Sequence, residues 1–304
     1  PPVPPADDNP PANSGDLATT SRVIPHHERR MMVDTQELEK LQGIARQCRR
    51  DIVKMVHHAG SGHPAGSLSA IDILVVLYFR HMNIRTEEPQ WRERDMFFLS
   101  KGHCTPAYYS VLAARGYFDH DELMTFRDLG TRLQGHPSNT HLECVDSSSG
   151  SLGQGLSLAN GAALAAKYDM LDSRYYVMLG DGEIQEGQVW EAAMTSSDHD
   201  LDNVCAILDA NSIQLDGPVD SVKSLGDIDA KWRAFGWHVI DIDGHNMQEV
   251  DEAFTQANST IGRPTLIIAR TVKGKGVSFM ENTSKYHGLA PTDEELELAL
   301  EELR

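Results

Sequence analysis

Two apolar runs constrain this chain more than any other feature. Tyr175 to Leu179 leads into Gly180-Asp181-Gly182, and Val204 to Leu208 leads into Asp209-Ala210-Asn211-Ser212-Ile213. A helix-patterned segment, Gln188 to His199, lies between them. Strand, helix and strand in this order make a βαβ unit, so the two strands run parallel and both end at one edge of a sheet. Each ends in an oxygen-bearing side chain, Asp181 or Asn211.

The rest of the chain continues the alternation. Leu38, Leu41, Ile44, Ala45, Cys48, Ile52 and Met55 recur at threes and fours, which predicts a first helix beginning near Asp34 and Thr35. Gly60-Ser61-Gly62-His63-Pro64 must be a loop. A second helix over 67–80 is apolar on most faces and therefore buried. Met96 to Leu99 reads as a strand, followed by Ser100-Lys101-Gly102-His103. Helices are expected over 106–115 and 121–129, and the glycine-rich turn Gly150 to Gly155 opens a helix over 156–168. Strands over 237–242 and 266–269 flank a helix over 247–258, and an acidic helix spans 292–303. The fold class is α/β, with a central parallel sheet flanked by helices on both faces.

Composition narrows the classes. With 304 residues, 40% of them hydrophobic, the chain can build a core. A formal net charge of −18 argues against a nucleic-acid partner. No apolar run reaches membrane-spanning length, and no secretory signal is visible. Cys48, Cys104, Cys144 and Cys205 lack metal-ligand spacing and read as free thiols of a reducing cytoplasm, the expected location. Residues 1–34, proline-rich and then small and polar, are expected to be a disordered tail ahead of one domain, 35–304. The His26-His27 pair in that tail reads as solvated.

A lone Gly-Asp-Gly is ordinarily a turn. Its pairing with a second strand that ends at Asn211 changes the reading. Ligands of open α/β sheets bind outside the carboxyl ends of strands. Asp181 and Asn211 there suit Mg²⁺, a hard cation taking oxygen ligands that include phosphates, and the Ile213 carbonyl is within chain reach as a third ligand. The following helix would aim its amides at a bound phosphate. His63, His103, His136 and His287 each stand beside glycine or proline, in loops that expose a side chain at the sheet rim. Together they read as one polar pocket able to move protons near neutral pH. Lys101 and Lys273 follow predicted strands and suit an anionic ligand. His57, His58 and His245 read as structural.

These pieces resemble the N-terminal, diphosphate-binding domain of the transketolases. The resemblance rests on seven motifs in order: Gly60-Ser61-Gly62-His63-Pro64, Leu99-Ser100-Lys101-Gly102-His103, Gly135-His136-Pro137, Gly150-Ser151-Leu152-Gly153-Gln154-Gly155, Gly180-Asp181-Gly182-Glu183 with Glu186-Gly187, Asp209-Ala210-Asn211 with Gln214-Leu215-Asp216-Gly217, and Tyr286-His287-Gly288. It covers about residues 38–295. It implies thiamine diphosphate and Mg²⁺ as cofactors, with Asp181, Asn211 and Ile213 on the metal. It places the cofactor against Gly150, Leu152, Gly182, Glu183, Glu186, Asn211 and Lys273, with His103 and His287 near the diphosphate. His63, His103, His136 and His287 are the implied catalytic group: His63 and His287 for proton transfer at hydroxyls, and His136 for the carbonyl end of a ketose. Glu186 is assigned to a hydrogen-bond network joining two active sites.

Complete transketolases are about twice as long, with a second domain whose glutamate activates the cofactor. The resemblance therefore implies an N-terminal subunit of a split transketolase. Its partner is a C-terminal subunit carrying the glutamate (pyrimidine-binding) domain, in a heterotetramer with two copies of each chain. The substrate is a small sugar or ketose, with neither nucleic acid nor membrane involved. Ser151 stands where many full-length transketolases have proline, which leaves the subfamily open. Another carbon–carbon ligation on special sugars and a non-catalytic subunit retaining the fold are the alternatives.

Overall fold

The computed structural model describes residues 33–304. The expected tail lies outside the described residues except for Val33 and Asp34. Asp34 caps the first helix by accepting the Glu37 amide at 2.8 Å. Helix α1 runs Thr35–Ala59 and α2 Pro64–Val76, continued by a wider π turn, Leu77–His81. Strand β1 is Met96–Leu99, and helices α3 (Thr105–Arg115) and α4 (Gly155–Tyr168) follow. Then come β2 (Tyr175–Gly180), α5 (Gly187–Asp198) and β3 (Val204–Ala210). A small hairpin, β4 (Ile213–Gln214) with β5 (Gly217–Pro218), precedes α6 (Val219–Lys223) and α7 (Ile228–Ala234). The chain ends its regular structure with β6 (His238–Asp243), α8 (Met247–Ser259), β7 (Thr265–Arg270) and α9 (Asp293–Glu302).

The five long strands form one parallel sheet in the order β1-β2-β3-β7-β6. Alternate side chains divide between two cores. Tyr176, Met178, Cys205, Ile207 and Ile267 pack into the core that holds α1, α2, α3 and α8. Val177, Leu179, Ala206, Leu208, Leu266 and Ile268 pack into the other, with α4, α5 and α7. Because both faces are covered, these strands read as unbroken apolar runs. The fold class is as the sequence implied.

One expected helix is absent. Residues 121–129 form only a tight turn, His120–Thr125. Leu123 and Phe126 both reach the core from it, and Arg127 then takes a left-handed backbone, φ 65°, which ends any helix. The hairpin and the short helices α6 and α7 had no period strong enough to register in the sequence.

The topology fixes where a ligand belongs. The β1→β2 and β2→β3 crossovers carry α4 and α5 on one face, while the β6→β7 crossover carries α8 on the other. The connections diverge between β3 and β7, and a crevice at the carboxyl ends there is the expected binding place. Among the described residues, no helix is long and apolar enough to cross a membrane.

Candidate active site

Three carboxyl ends converge on a cavity of about 290 Å³. β2 delivers Asp181, β3 delivers Asn211, and β7 leads through Thr271 and Val272 to Lys273. A larger cleft, about 420 Å³, lies at the opposite ends of the strands around Arg174 and Asn203, away from all of these groups.

Asp181 is buried; one oxygen accepts the Gly182 amide at 2.7 Å and the other the Ser212 amide. It forms no ion pair among the described residues. Burial, and then the Asp209 carboxylate, push its pKa up. Asn211 donates through Nδ2 to Asp209 at 3.1 Å, while its Oδ1 accepts the Ile213 amide at 3.1 Å. The Ile213 carbonyl accepts Lys273 Nζ at 2.7 Å. Among the described residues, no group of three or more His, Cys, Asp and Glu side chains is arranged to hold a metal. A cation here would rest on carboxylate, amide and backbone oxygens, the donor set of Mg²⁺ rather than of a softer metal. A buried carboxylate that lacks a cation, beside an oriented amide oxygen, fits such an ion.

The two lysines differ sharply. Lys101 Nζ pairs with Asp209 and also donates to the Gly66 carbonyl at 3.2 Å. Burial disfavours its charge, but Asp209 outweighs this and the pKa rises. Asp209 also accepts Ser69 Oγ at 2.6 Å and the Thr271 hydroxyl. Lys273 is 2% exposed with no carboxylate against it among the described residues; burial, then Lys101, lower its pKa to about 8. An anion such as a diphosphate would supply the charge it lacks. Lys273 therefore fits the expected cofactor role, whereas Lys101 is committed to Asp209.

The four histidines form a row leading away from the cavity. His103 and His287 line it, with ring centroids 5.1 Å apart. His63 lies 5.1 Å from His103 and 5.4 Å from His287, and His136 lies 6.4 Å beyond His63. Burial lowers all four. His63 falls to about 4, helped by Arg127 and His136, and His287 to about 3, helped by Lys273. All four are neutral near pH 7, so each carries one N–H and one ring nitrogen able to accept. His63 Nδ1 is buried without a partner, a polar atom aimed at a missing hydrogen bond.

The other expected residues divide. Leu152, Gly182, Glu183 and Glu186 line the cavity, and Gly150 packs against the His136 ring. The Glu183 carboxylate is already taken by three donors of the protein. Glu186 is exposed, as a group reaching beyond this chain would be. The segment after Gly182 is a short turn, Glu183–Gln185, and α5 begins at Gly187, one residue before the expected start at Gln188. His57 pairs with Asp293 at 2.7 Å and His245 with Asp72 at 2.8 Å, which suits the structural reading of both. Cys104 is fully buried, and burial pushes its thiol up, so it is no nucleophile.

Two residues were missed by sequence reasoning. Asp209 stood in the motif after a strand with no role of its own. Arg127, hidden in the supposed helix, donates to Ser61 Oγ at 3.1 Å and holds its positive charge near His63 and His136. Its buried Nε has no partner.

Comparison with known proteins places the chain in a family. Residues 41–303 match the family described as "Transketolase, thiamine diphosphate binding domain". The chain is 43% identical over 263 residues to the 6-deoxy-6-sulfo-D-fructose transketolase subunit SqwG of Clostridium sp. (strain MSTE9), covering 86% of this chain and 96% of that one. It is 39% identical over 273 residues to an apulose-4-phosphate transketolase subunit of Phocaeicola vulgatus, covering 90% and 95%. The solved transketolase of Campylobacter jejuni superposes with a TM-score of 0.82 at 35% identity, over 87% of this chain but 43% of that one. The chain thus spans less than half of that full-length enzyme and nearly the whole of the two subunits. It belongs to the transketolase family and corresponds to its thiamine diphosphate-binding domain.

Proposed function

We propose that this chain is the N-terminal component of a two-chain, thiamine-diphosphate-dependent transketolase that moves a two-carbon ketol unit from a ketose phosphate to an aldose. One observation carries the reading. A buried lysine without a counter-anion, a buried carboxylate without a counter-cation and a row of neutral histidines share one crevice.

Asp181, Asn211 and the Ile213 carbonyl would hold Mg²⁺. Lys273, His103 and the backbone near Leu152 and Gly182 would hold the diphosphate. The chemistry supplied by the bound cofactor is a stabilised carbanion. The chain's own groups bind, orient and move protons. His287 has its Nδ1 occupied by the Lys273 ammonium, so its proton sits on Nε2 and is available as a donor. His63 has a free nitrogen to exchange a proton with a substrate hydroxyl. Arg127 offers positive charge to an anionic substrate end. Leu152 and Leu215 line the cavity yet stay partly exposed, 36% and 62%, an apolar rim suited to cover by a partner chain.

The partner is a C-terminal subunit with the glutamate-bearing domain, assembled as a heterotetramer. Four free thiols support a cytoplasmic location. Mixing the chain with its candidate partner, thiamine diphosphate and Mg²⁺ should give turnover of xylulose 5-phosphate with ribose 5-phosphate. Neither chain should turn over alone, and silence with every partner and sugar overturns the proposal. The two subunit relatives are named for unusual sugars, which favours a second reading: ketol transfer on a special sugar. A sugar panel separates the two.

A further inference from the structure

Glu183 is 3% exposed and directly follows Gly180-Asp181-Gly182. Its carboxylate accepts from three loops at once: the Ser100 hydroxyl after β1, the Gly153 amide ahead of α4 at 2.9 Å, and the Gly180 amide at the end of β2 at 2.9 Å. Ser100 Oγ in turn accepts the Gly155 amide at 3.1 Å. Three of a carboxylate's roughly four lone-pair positions are used inside the protein.

The same loops are keyed sterically. A Cβ on Gly102 would lie 2.9 Å from the Gly150 nitrogen, and one on Gly155 would lie 2.9 Å from Ser100 Cα. The loop after β1 is pressed against the loop before α4, and only glycine permits the approach. The first loop carries His103, the second Gly150 and Leu152, and the third Asp181 and Gly182. They meet at Glu183.

We infer that Glu183 is a positioning residue, a buried tie that sets the register of the three cofactor-contacting loops, and not itself a ligand of the cofactor. The inference rests on the proposed cofactor reading for its consequence, but the tie itself is independent of it. Burying a carboxylate with no ionic partner goes against stability, and such violations concentrate at functional sites. With the tie intact, metal-side and diphosphate-side contacts are held in place together before binding.

Glu183→Gln tests this in the full chain. The amide is isosteric, but its NH₂ must face the N–H of Gly153 or of Gly180, donor against donor. Hydrogen exchange at one of those two amides should speed at least tenfold, with the melting temperature within a few degrees. The apparent dissociation constant for thiamine diphosphate with Mg²⁺ should rise about 10- to 100-fold, as when partners that orient metal ligands are lost. With the partner subunit present, kcat at saturating cofactor should be unchanged. Ser100→Ala, removing one donor only, should give a smaller shift in the same direction. Unchanged exchange at both amides overturns the tie. Unchanged cofactor affinity despite faster exchange overturns its positioning role, and a fall in kcat at saturation shows that Glu183 touches the chemistry instead. Failure of the unaltered protein to bind thiamine diphosphate counts against the proposed cofactor, while the exchange rates still decide the tie.

Discussion

The Lys273 ammonium donates to Nδ1 of His287 at 2.8 Å, so the charge of the lysine and the tautomer of the histidine are set together. Lys273 enters the buried site with its pKa lowered to about 8 against 10.5 in an unfolded chain. Below about pH 8 it is charged and attracts an anion; above that it is neutral. Thiamine diphosphate affinity should therefore fall as pH rises from 7 to 9, and Lys273→Met should bind weakly and lose most of this dependence. Calorimetric titration at the two pH values checks it. The unliganded fold has the opposite slope. Between about 8 and 10.5 the unfolded state binds more protons, so the cofactor-free protein should gain stability there as pH rises.

The histidine row gives an acid-side counterpart. His63 titrates near 4 and His287 near 3, both below the unfolded 6.5. Depressed values of this kind mean that stability is fully present above about pH 6.5 and is lost as pH falls towards 4. Chemical denaturation at pH 7, 5.5 and 4.5 should show the decline. His63→Gln and His287→Gln should each flatten part of it. Proton-sensitive NMR signals of both rings should stay in the neutral form down to about pH 5.

Asp181 separates metal binding from folding. Its carboxylate is held by two backbone amides and meets no cation among the described residues. Asp181→Asn keeps the size and removes the charge that a dication would need. Mg²⁺-supported thiamine diphosphate binding should weaken roughly 10- to 100-fold, the range expected for one charge-assisted contact. The melting temperature of the cofactor-free protein should move by only a few degrees, because losing a buried charge offsets the new clash of the amide NH₂ with the N–H of Gly182 or Ser212. Equal binding by both proteins would remove Asp181 from the metal site.

The sheet was legible because its strands are buried on both faces. Tyr175–Leu179 and Val204–Leu208 stay apolar with no alternation, and helix periods separate them. The proposed metal residues were legible because they sit where these runs stop. What escaped was set by tertiary contact. Asp209 directly follows an apolar run, and only the β1 to β3 spacing across the sheet shows that Lys101 neutralises it. Arg127 was lost because Leu123 and Phe126, three apart, satisfy a single turn as well as a helix. Glu183 and Asp181 look alike in sequence, both acidic in one loop, yet the donors brought by Ser100 and Gly153 give one of them a structural task.

That hidden ion pair supports the last prediction. Lys101 and Asp209 are 2% and 0% exposed, so neither charge has water to fall back on. Asp209 further anchors Asn211, Ser69 and Thr271. Asp209→Ala strands a buried ammonium and should cost about 3–5 kcal/mol in denaturant unfolding, as breaking a buried pair from one side does. Lys101→Met together with Asp209→Leu removes both charges and fills the space, and it should recover much of that loss. Cofactor binding should not recover in step. The double variant still lacks the oxygen that receives Asn211 Nδ2, so the Asn211 amide is free to turn and Mg²⁺ affinity should stay low. Recovery of both properties together would mean that Asp209 serves folding alone. Stability regained without metal affinity would show that this aspartate does two separable jobs, balancing Lys101 below the site and aiming Asn211 within it.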